Sequence, residues 1–193
     1  MDSFVYKRKT YLVVEQINEY SFKVSLGDKF FILNKFASKS KSFKDFLYAA
    51  KKLGNCGVRV PKVVGKDKKQ GIILVEYIDG NTVFDELRLH DLEDDIYKQA
   101  FEINAHAKSG RLGLYFNPQN FVYYNKVLYY MPFTFETYSK ELDLSTEQIY
   151  HWFYTNKFKN DLIKMKLPID NKRVLPEFEG NKKIVLKVVE YYR

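Results

Sequence analysis

The fold turns on the stretch Ile72-Ile-Leu-Val-Glu-Tyr-Ile-Asp-Gly80. Its first four residues read as a continuous apolar strand, and Gly80 marks the point beyond which the chain turns mostly helical. Working back, a lysine-rich turn, Lys66-Asp-Lys-Lys69, separates this strand from Val63-Val64. A short loop with Pro61 precedes that. Phe43, Phe46, Leu47, Ala50 and Leu53 then recur at helical spacing, with Ser42 as the predicted N-cap and Gly54 just past the end. Tyr11-Leu-Val-Val14, the alternating Tyr20-Ser-Phe-Lys-Val24 and Phe30-Phe-Ile-Leu33 predict three strands, the last two joined by a turn at Gly27-Asp28. The N-terminal part, residues 1–79, is thus predicted to be a five-stranded antiparallel sheet with one helix.

Working forward, Asn81-Thr82 caps a short helix through Leu87, and a longer helix over about residues 91–109 lines up Leu92, Ile96, Ala100, Ile103 and Ala107. Two short strands, Phe121–Tyr123 and Leu128–Tyr130, flank a turn at Asn125-Lys126. Ser145-Thr-Glu-Gln148 reads as a capping box opening a helix with Ile149, Trp152 and Phe153, and a last helix spans Lys182 to Tyr192. With no internal repeat or low-complexity linker, residues 80–193 form a short, mostly helical part packed on the sheet. The expected class is α+β.

The net charge of +8 is unevenly spread. Residues 1–70 hold 16 Lys/Arg against 6 Asp/Glu, and residues 71–193 hold 16 against 18. The basic N-terminal part is either a solvated face or a surface for a nucleic acid, a nucleotide or an acidic partner. No apolar run reaches the roughly 20 residues that span a bilayer, and MDSFVYKRKT has no apolar signal-peptide core. A lone Cys56 and three histidines at no metal-ligand spacing argue against disulfide and zinc chemistry. The expected location is cytoplasmic.

Five strands with one helix after the third, followed by a helical half, is the layout of protein kinases, and four motifs carry the likeness further. Gly57-Val-Arg-Val-Pro-Lys62 and Val75-Glu-Tyr-Ile-Asp-Gly80 resemble the "G-(V/I)-x-x-P-x" loop and hinge of small RIO-type, lipopolysaccharide-kinase-like and aminoglycoside-phosphotransferase-like proteins. Tyr115-Phe-Asn-Pro-Gln-Asn-Phe-Val122 resembles the catalytic loop "D-x-x-P-x-N-F/I-V". Leu128-Tyr-Tyr-Met-Pro-Phe133 resembles the metal-binding strand end "L-Y-Y-I-D-F/Y". The match keeps its order over roughly residues 10–155.

The resemblance also exposes departures. Phosphoryl transfer needs a positioned nucleotide, Mg²⁺ and a carboxylate that orients the attacking hydroxyl. Asn120 is retained, but Tyr115 stands at the base position, and a phenol with an ordinary pKa near 10 does not replace a carboxylate at neutral pH. Pro132, at the metal-ligand position, offers no oxygen, which argues against Mg²⁺. The phosphate-contacting lysine aligns with Asn34, or with Lys35 after a one-residue shift that turns it to the other face. Phe46 aligns near the lysine's usual glutamate partner, and the turn Ile17-Asn-Glu-Tyr20 has no glycine. Glu136 and Glu141 are the carboxylates available to a rearranged metal site. The hinge survives: by resemblance, the Glu76 carbonyl and Ile78 amide would hold the adenine of ATP or ADP. Lys35, Glu76, Ile78 and Asn120 are therefore the candidate nucleotide contacts, and no catalytic residue is expected.

Three functions follow: an inactive kinase-like binding or assembly module with a protein partner, a divergent ATP-dependent phosphotransferase, and a nucleic-acid-binding protein. The last would use Lys7-Arg-Lys9, Lys39, Lys41, Lys44, Lys51 and Lys52. Phe43, Phe46 and Tyr48, beside these lysines, read as core. Cys56 reads as a buried small residue.

Overall fold

A computed structural model describes residues 3–38 and 40–191; Lys39 and Tyr192, named above, lie outside them. The elements run β1 (Ser3–Tyr6), β2 (Lys9–Gln16), β3 (Ser21–Leu26), β4 (Lys29–Lys35), α1 (Lys41–Asn55), β5 (Val63–Asp67) and β6 (Ile72–Glu76). They continue with β7 (Asn81–Thr82), α2 (Val83–Leu89), α3 (Asp94–Ser109), β8 (Leu112–Gly113), β9 (Phe121–Tyr124), β10 (Val127–Tyr130), β11 (Glu136–Thr137), α4 (Asn156–Lys164) and α5 (Glu177–Tyr191). Among these, no helix is long and apolar enough to cross a membrane.

The first sheet has six strands, in the order β1-β2-β3-β4-β6-β5, and not the expected five. The added strand is β1, which pairs with β2 through a turn at Lys7-Arg8. Both turn residues take left-handed φ values, 48° and 64°, which suits a tight hairpin. Neither is the Asn or Gly that normally signals such a turn, so the hairpin is silent in the sequence.

Strand β6 explains the continuous apolar run. Ile72 and Leu74 face a core inside the curled sheet with Tyr6, Tyr11, Val24 and Leu33. Ile73 and Val75 face the other way, onto α1, with Phe43. The two-residue period of a strand divides neighbours between faces, and here both faces are covered. The outer strands β1 and β5 are fastened to each other: the Tyr6 hydroxyl accepts from the Lys66 amide at 3.0 Å and donates to the Lys66 carbonyl at 3.3 Å. Gly65 makes room for that ring, since a Cβ there would lie 2.8 Å from it.

Helix α1 is capped by Ser40, whose hydroxyl accepts from the Phe43 amide, and not by Ser42. Gly54 lies inside the helix rather than past its end; the stop comes at Gly57, at φ 85°. Tyr48 is 62% exposed, in contrast to the core position expected of it. Cys56 is half-buried, against Gly110.

The helical part packs α2, α3, α4 and the three-stranded sheet β10-β9-β7 around one large core that includes Phe116, Phe121, Tyr130 and Trp152. Its polar centre is the buried Asp143. This carboxylate accepts from Asn104, Lys108, Tyr138 and both the amide and hydroxyl of Ser145. Ser145 is therefore bound backwards to Asp143 instead of capping an α-helix, and Glu147–Trp152 is a 3-10 helix. The largely polar α4 buries only Phe158 and Leu162, which left it without a periodic signal. Helix α5 begins at Glu177, earlier than predicted.

Two stability tests follow from this packing. Gly65→Ala drives a methyl into the Tyr6 ring and is expected to lower unfolding free energy by about 1–3 kcal/mol. Gly54→Ala adds a Cβ that meets nothing within 4 Å and is expected to raise it by about 0.5–1 kcal/mol. Urea unfolding midpoints of the two variants should move in opposite directions. Asp143→Ala strands buried donors and a lysine, and should cost on the order of 3–5 kcal/mol in the same assay.

Candidate functional site

The segment Tyr115–Asn120 is held from several sides. The Trp152 indole, fully buried, donates to the Phe116 carbonyl at 2.7 Å, and the Phe116 amide donates to the Gln148 side chain at 2.6 Å. Pro118–Asn120 forms a 3-10 turn with Pro118 in its first turn, where a missing N–H costs nothing. Asn117 caps this turn through the Gln119 amide. The Asn120 amide returns to the Asn117 carbonyl at 2.8 Å, and the Met131 amide donates to the Asn120 carbonyl at 2.8 Å. The loop is thereby tied to the end of β10, one residue before Pro132.

Strands β8 and β11 pair Gly113 with Glu136, which lays Glu136 beside the chain entering the loop. The Tyr115 hydroxyl donates to the Glu136 carboxylate. That bond holds the phenol above its ordinary pKa, because the carboxylate accepts a proton that the phenolate could not supply. The Asn120 carboxamide donates to the Tyr115 carbonyl at 2.9 Å. Tyr130, at the end of β10, is pushed up to about 12 by burial. Tyr115 therefore joins Asn120 and Glu136, accepting from one through its carbonyl and donating to the other through its hydroxyl. Glu141 sits in a separate 3-10 turn, where a hydrogen bond from Ser139 lowers its carboxyl.

Just beyond Pro132, Phe133 stacks on Phe46 of α1, with ring centroids 4.3 Å apart and 29° between planes. Phe36 meets Phe43 and Phe46 edge-on. An aromatic cluster thus occupies the place where the resemblance puts a lysine–glutamate pair.

Lys35 pairs with Ile72 and shares the sheet face of Leu33, away from Ile73 and α1. It borders a cavity of about 260 Å³ with Phe4, Phe22 and Gln70. Asn34, opposite Ile73, accepts from the Ser21 hydroxyl at 2.8 Å. The β2–β3 turn closes on itself through Asn18, whose side chain accepts from the Tyr20 amide. Glu76 ends β6, its amide donating to the Lys62 carbonyl and its carboxylate accepting from the Lys62 amide. The buried Ile78 follows, and its amide has no hydrogen-bond partner among the described residues. Gly80 then passes so close to β9 that a Cβ would lie 2.6 Å from the Tyr123 carbonyl. The linking segment leads through β7 to β9, the strand that follows Asn120.

The contacts that the resemblance implies for a nucleotide are only partly present. The Ile78 amide is a free donor of the kind an adenine ring takes. The phosphate end finds neither a β4 lysine on the α1 face, nor a glycine turn, nor a carboxylate at position 132. Among the described residues, no group of three or more His, Cys, Asp or Glu side chains is arranged to hold a metal ion. Sequence reading missed Trp152 and Gln148 as supports of the loop. The aromatic spacing of the Trp152 segment was visible, but not the carbonyl it serves.

No protein-family model and no curated protein matches the chain. Among solved structures, the chain is similar to the autoinhibited serine kinase domain of the giant muscle protein titin. The TM-score is 0.50 at 14% identity, over 67% of this chain and 46% of the titin kinase chain. The chain thus spans less than half of that relative, and the likeness is one of fold: this is a kinase-like fold.

The Tyr115–Glu136 bond is testable by alkaline difference titration of the intact protein against Tyr115→Phe. The Tyr115 phenol is expected to ionise above pH 10, and Glu136→Gln should bring it back toward 10. A raised phenol favours the folded state fully below pH 10, and that contribution is lost as pH climbs through the folded value.

Proposed function

We propose that this chain is a catalytically inactive kinase-like protein that acts as a binding or assembly module. The observation that carries the reading is the self-bonded loop: Asn120 donates to the Tyr115 carbonyl, and Tyr115 donates to Glu136. With the Asn120 amide group and the Tyr115 hydroxyl engaged inside the loop and no carboxylate at positions 115 and 132, the loop lacks the acidic pair that a metal–phosphate complex needs. In this reading residues 1–79 and 80–193 form two lobes, the protein works in the cytoplasm, and its partner is another protein. ATP or ADP, in this reading, binds without Mg²⁺ at the Glu76 carbonyl and the Ile78 amide, with Asn120 as the remaining candidate contact, and Lys35, on the far face of the sheet, takes no part.

A second reading has one specific observation in its favour. Glu136 places a carboxylate beside Tyr115, at the position where the resemblance calls for a base, as a divergent phosphotransferase would need. Lys35, on the far face of the sheet, counts against it.

The deciding experiment is a thermal-shift titration with ATP and ADP, with and without Mg²⁺ or Mn²⁺. No metal-dependent rise is expected. A ligand at a hundred times its Kd adds about 2.7 kcal/mol, or roughly 5–10 °C for a chain this size. A metal-dependent rise of that order, with ATP turnover abolished by Glu136→Gln, would establish the phosphotransferase instead.

A further inference from the structure

The largest cavity described, about 1230 Å³, is lined by none of Lys35, Glu76, Ile78, Tyr115, Asn120 or Glu136. It is an open groove between the C-terminal half of α1 and the outer strand β5, floored by the loop from Val58 and closed at one end by Val127 and Tyr129 of β10. We propose that this groove docks an acidic amphipathic helix of a protein partner, which deepens the binding-module reading by naming its surface.

Charge selects the sign of the occupant. Lys7, Lys51, Arg59, Lys62 and Lys66 line the groove, and no Asp or Glu is among its lining residues. Arg59 is held to Gln99, whereas the side chains of Lys51, Lys62 and Lys66 form no ion pair among the described residues. Five cations around one apolar trough favour an anionic partner by complementarity.

The floor selects a peptide over a nucleic acid. It is aliphatic, made by Leu47, Ala50, Val58, Val60, Pro61 and Val63. Bases need aromatic platforms, and of the three tyrosines lining the groove only Tyr48 is largely exposed, while Tyr6 is buried. Tyr48, at 62% exposed, and Val64, at 49%, are instead solvent-facing apolar contacts ready to be covered.

The walls select a helix over a strand. Val64 sits in a bulge that the pairing with β6 skips, so β5 is an irregular edge. The Tyr6 hydroxyl already holds both the amide and the carbonyl of Lys66, which stops an added strand at that point. On the opposite wall a Cβ at Gly54 would meet nothing within 4 Å, which leaves open space above α1. A second helix can approach closely there and lay its apolar face on the floor while its acidic flanks meet the lysines.

The test is fluorescence anisotropy with a labelled synthetic peptide of about four helical turns, leucines on one face and glutamates elsewhere. Controls are a scrambled peptide of the same composition and an oligouridylate. Saturable binding is expected for the helical peptide. It should weaken roughly tenfold or more in Lys51→Glu/Lys62→Glu/Lys66→Glu, which reverses the rim charge. It should weaken similarly in Gly54→Leu, which fills the trough from a position where the added Cβ meets nothing within 4 Å. Lys164→Glu/Lys172→Glu/Lys182→Glu, equal in charge change but at exposed positions outside the groove's lining, should leave binding unchanged. No saturable binding, equal binding of the scrambled peptide, or indifference to the rim variant would overturn the proposal. Rim-dependent binding of oligouridylate in place of the peptide would also overturn it. ATP turnover measured on the same preparation reports on the inactive-kinase reading separately, so the two ideas fail by different signs.

Discussion

The constraint on which the rest depends is the burial of β6 on both faces. Ile72, Ile73, Leu74 and Val75 are each 3% exposed or less. At about 1.5–3 kcal/mol per buried aliphatic side chain, the four contribute roughly 6–12 kcal/mol before ordering costs. That sum is comparable with the whole net stability of a typical domain, about 5–15 kcal/mol. Because alternate residues face different cores, the strand must be sandwiched between the curled sheet and α1. It must also sit between β4 and β5, which fixes where the chain leaves for β7. The link to the helical part is a consequence of that placement.

The loop region is braced by hydrogen bonds among its own residues. A phosphoryl-transfer site relies on carboxylates for the metal and on a lysine–glutamate pair for the phosphates. Here the corresponding positions hold a phenol bonded to a carboxylate, a carboxamide bonded to a carbonyl, a proline and a pair of stacked rings. Such an aromatic pair contributes about 0.5–1.5 kcal/mol beyond its burial. The stacked rings brace α1 against the segment that follows β10. A surface that serves as a fixed platform benefits from that bracing, and the groove beside α1 is bordered by the same helix.

Much of the fold was legible because its signals are periodic and local. The helical spacing of Phe43 through Leu53, the cap at Thr82 and the Asn125-Lys126 turn all appear where the spacing places them. The losses have specific causes. The Lys7-Arg8 hairpin uses residues that seldom accept left-handed φ. The box at Ser145 matches a capping pattern, yet its hydroxyl is bonded to Asp143, and a local pattern cannot weigh a carboxylate buried by α3. Of the candidate site, the substitutions at Tyr115 and Pro132 were visible as residue types. The bond from Tyr115 to Glu136 was not, because it depends on β8 and β11 meeting.

The sequence by itself determined the strands from β2 to β6, the helices α1 to α3, the β9–β10 hairpin, the basic surplus in the first 70 residues and the absence of acids at positions 115 and 132. Each of these depends on residue identity or short-range periodicity, which a chain carries with it unfolded. Only the tertiary structure decided that the sheet closes through Tyr6 onto Lys66, that Lys35 faces away from α1, and that lysines distant in sequence gather around one apolar groove. Those outcomes depend on which surfaces meet across the sheet, and contact between distant segments is set by the packing of the whole core.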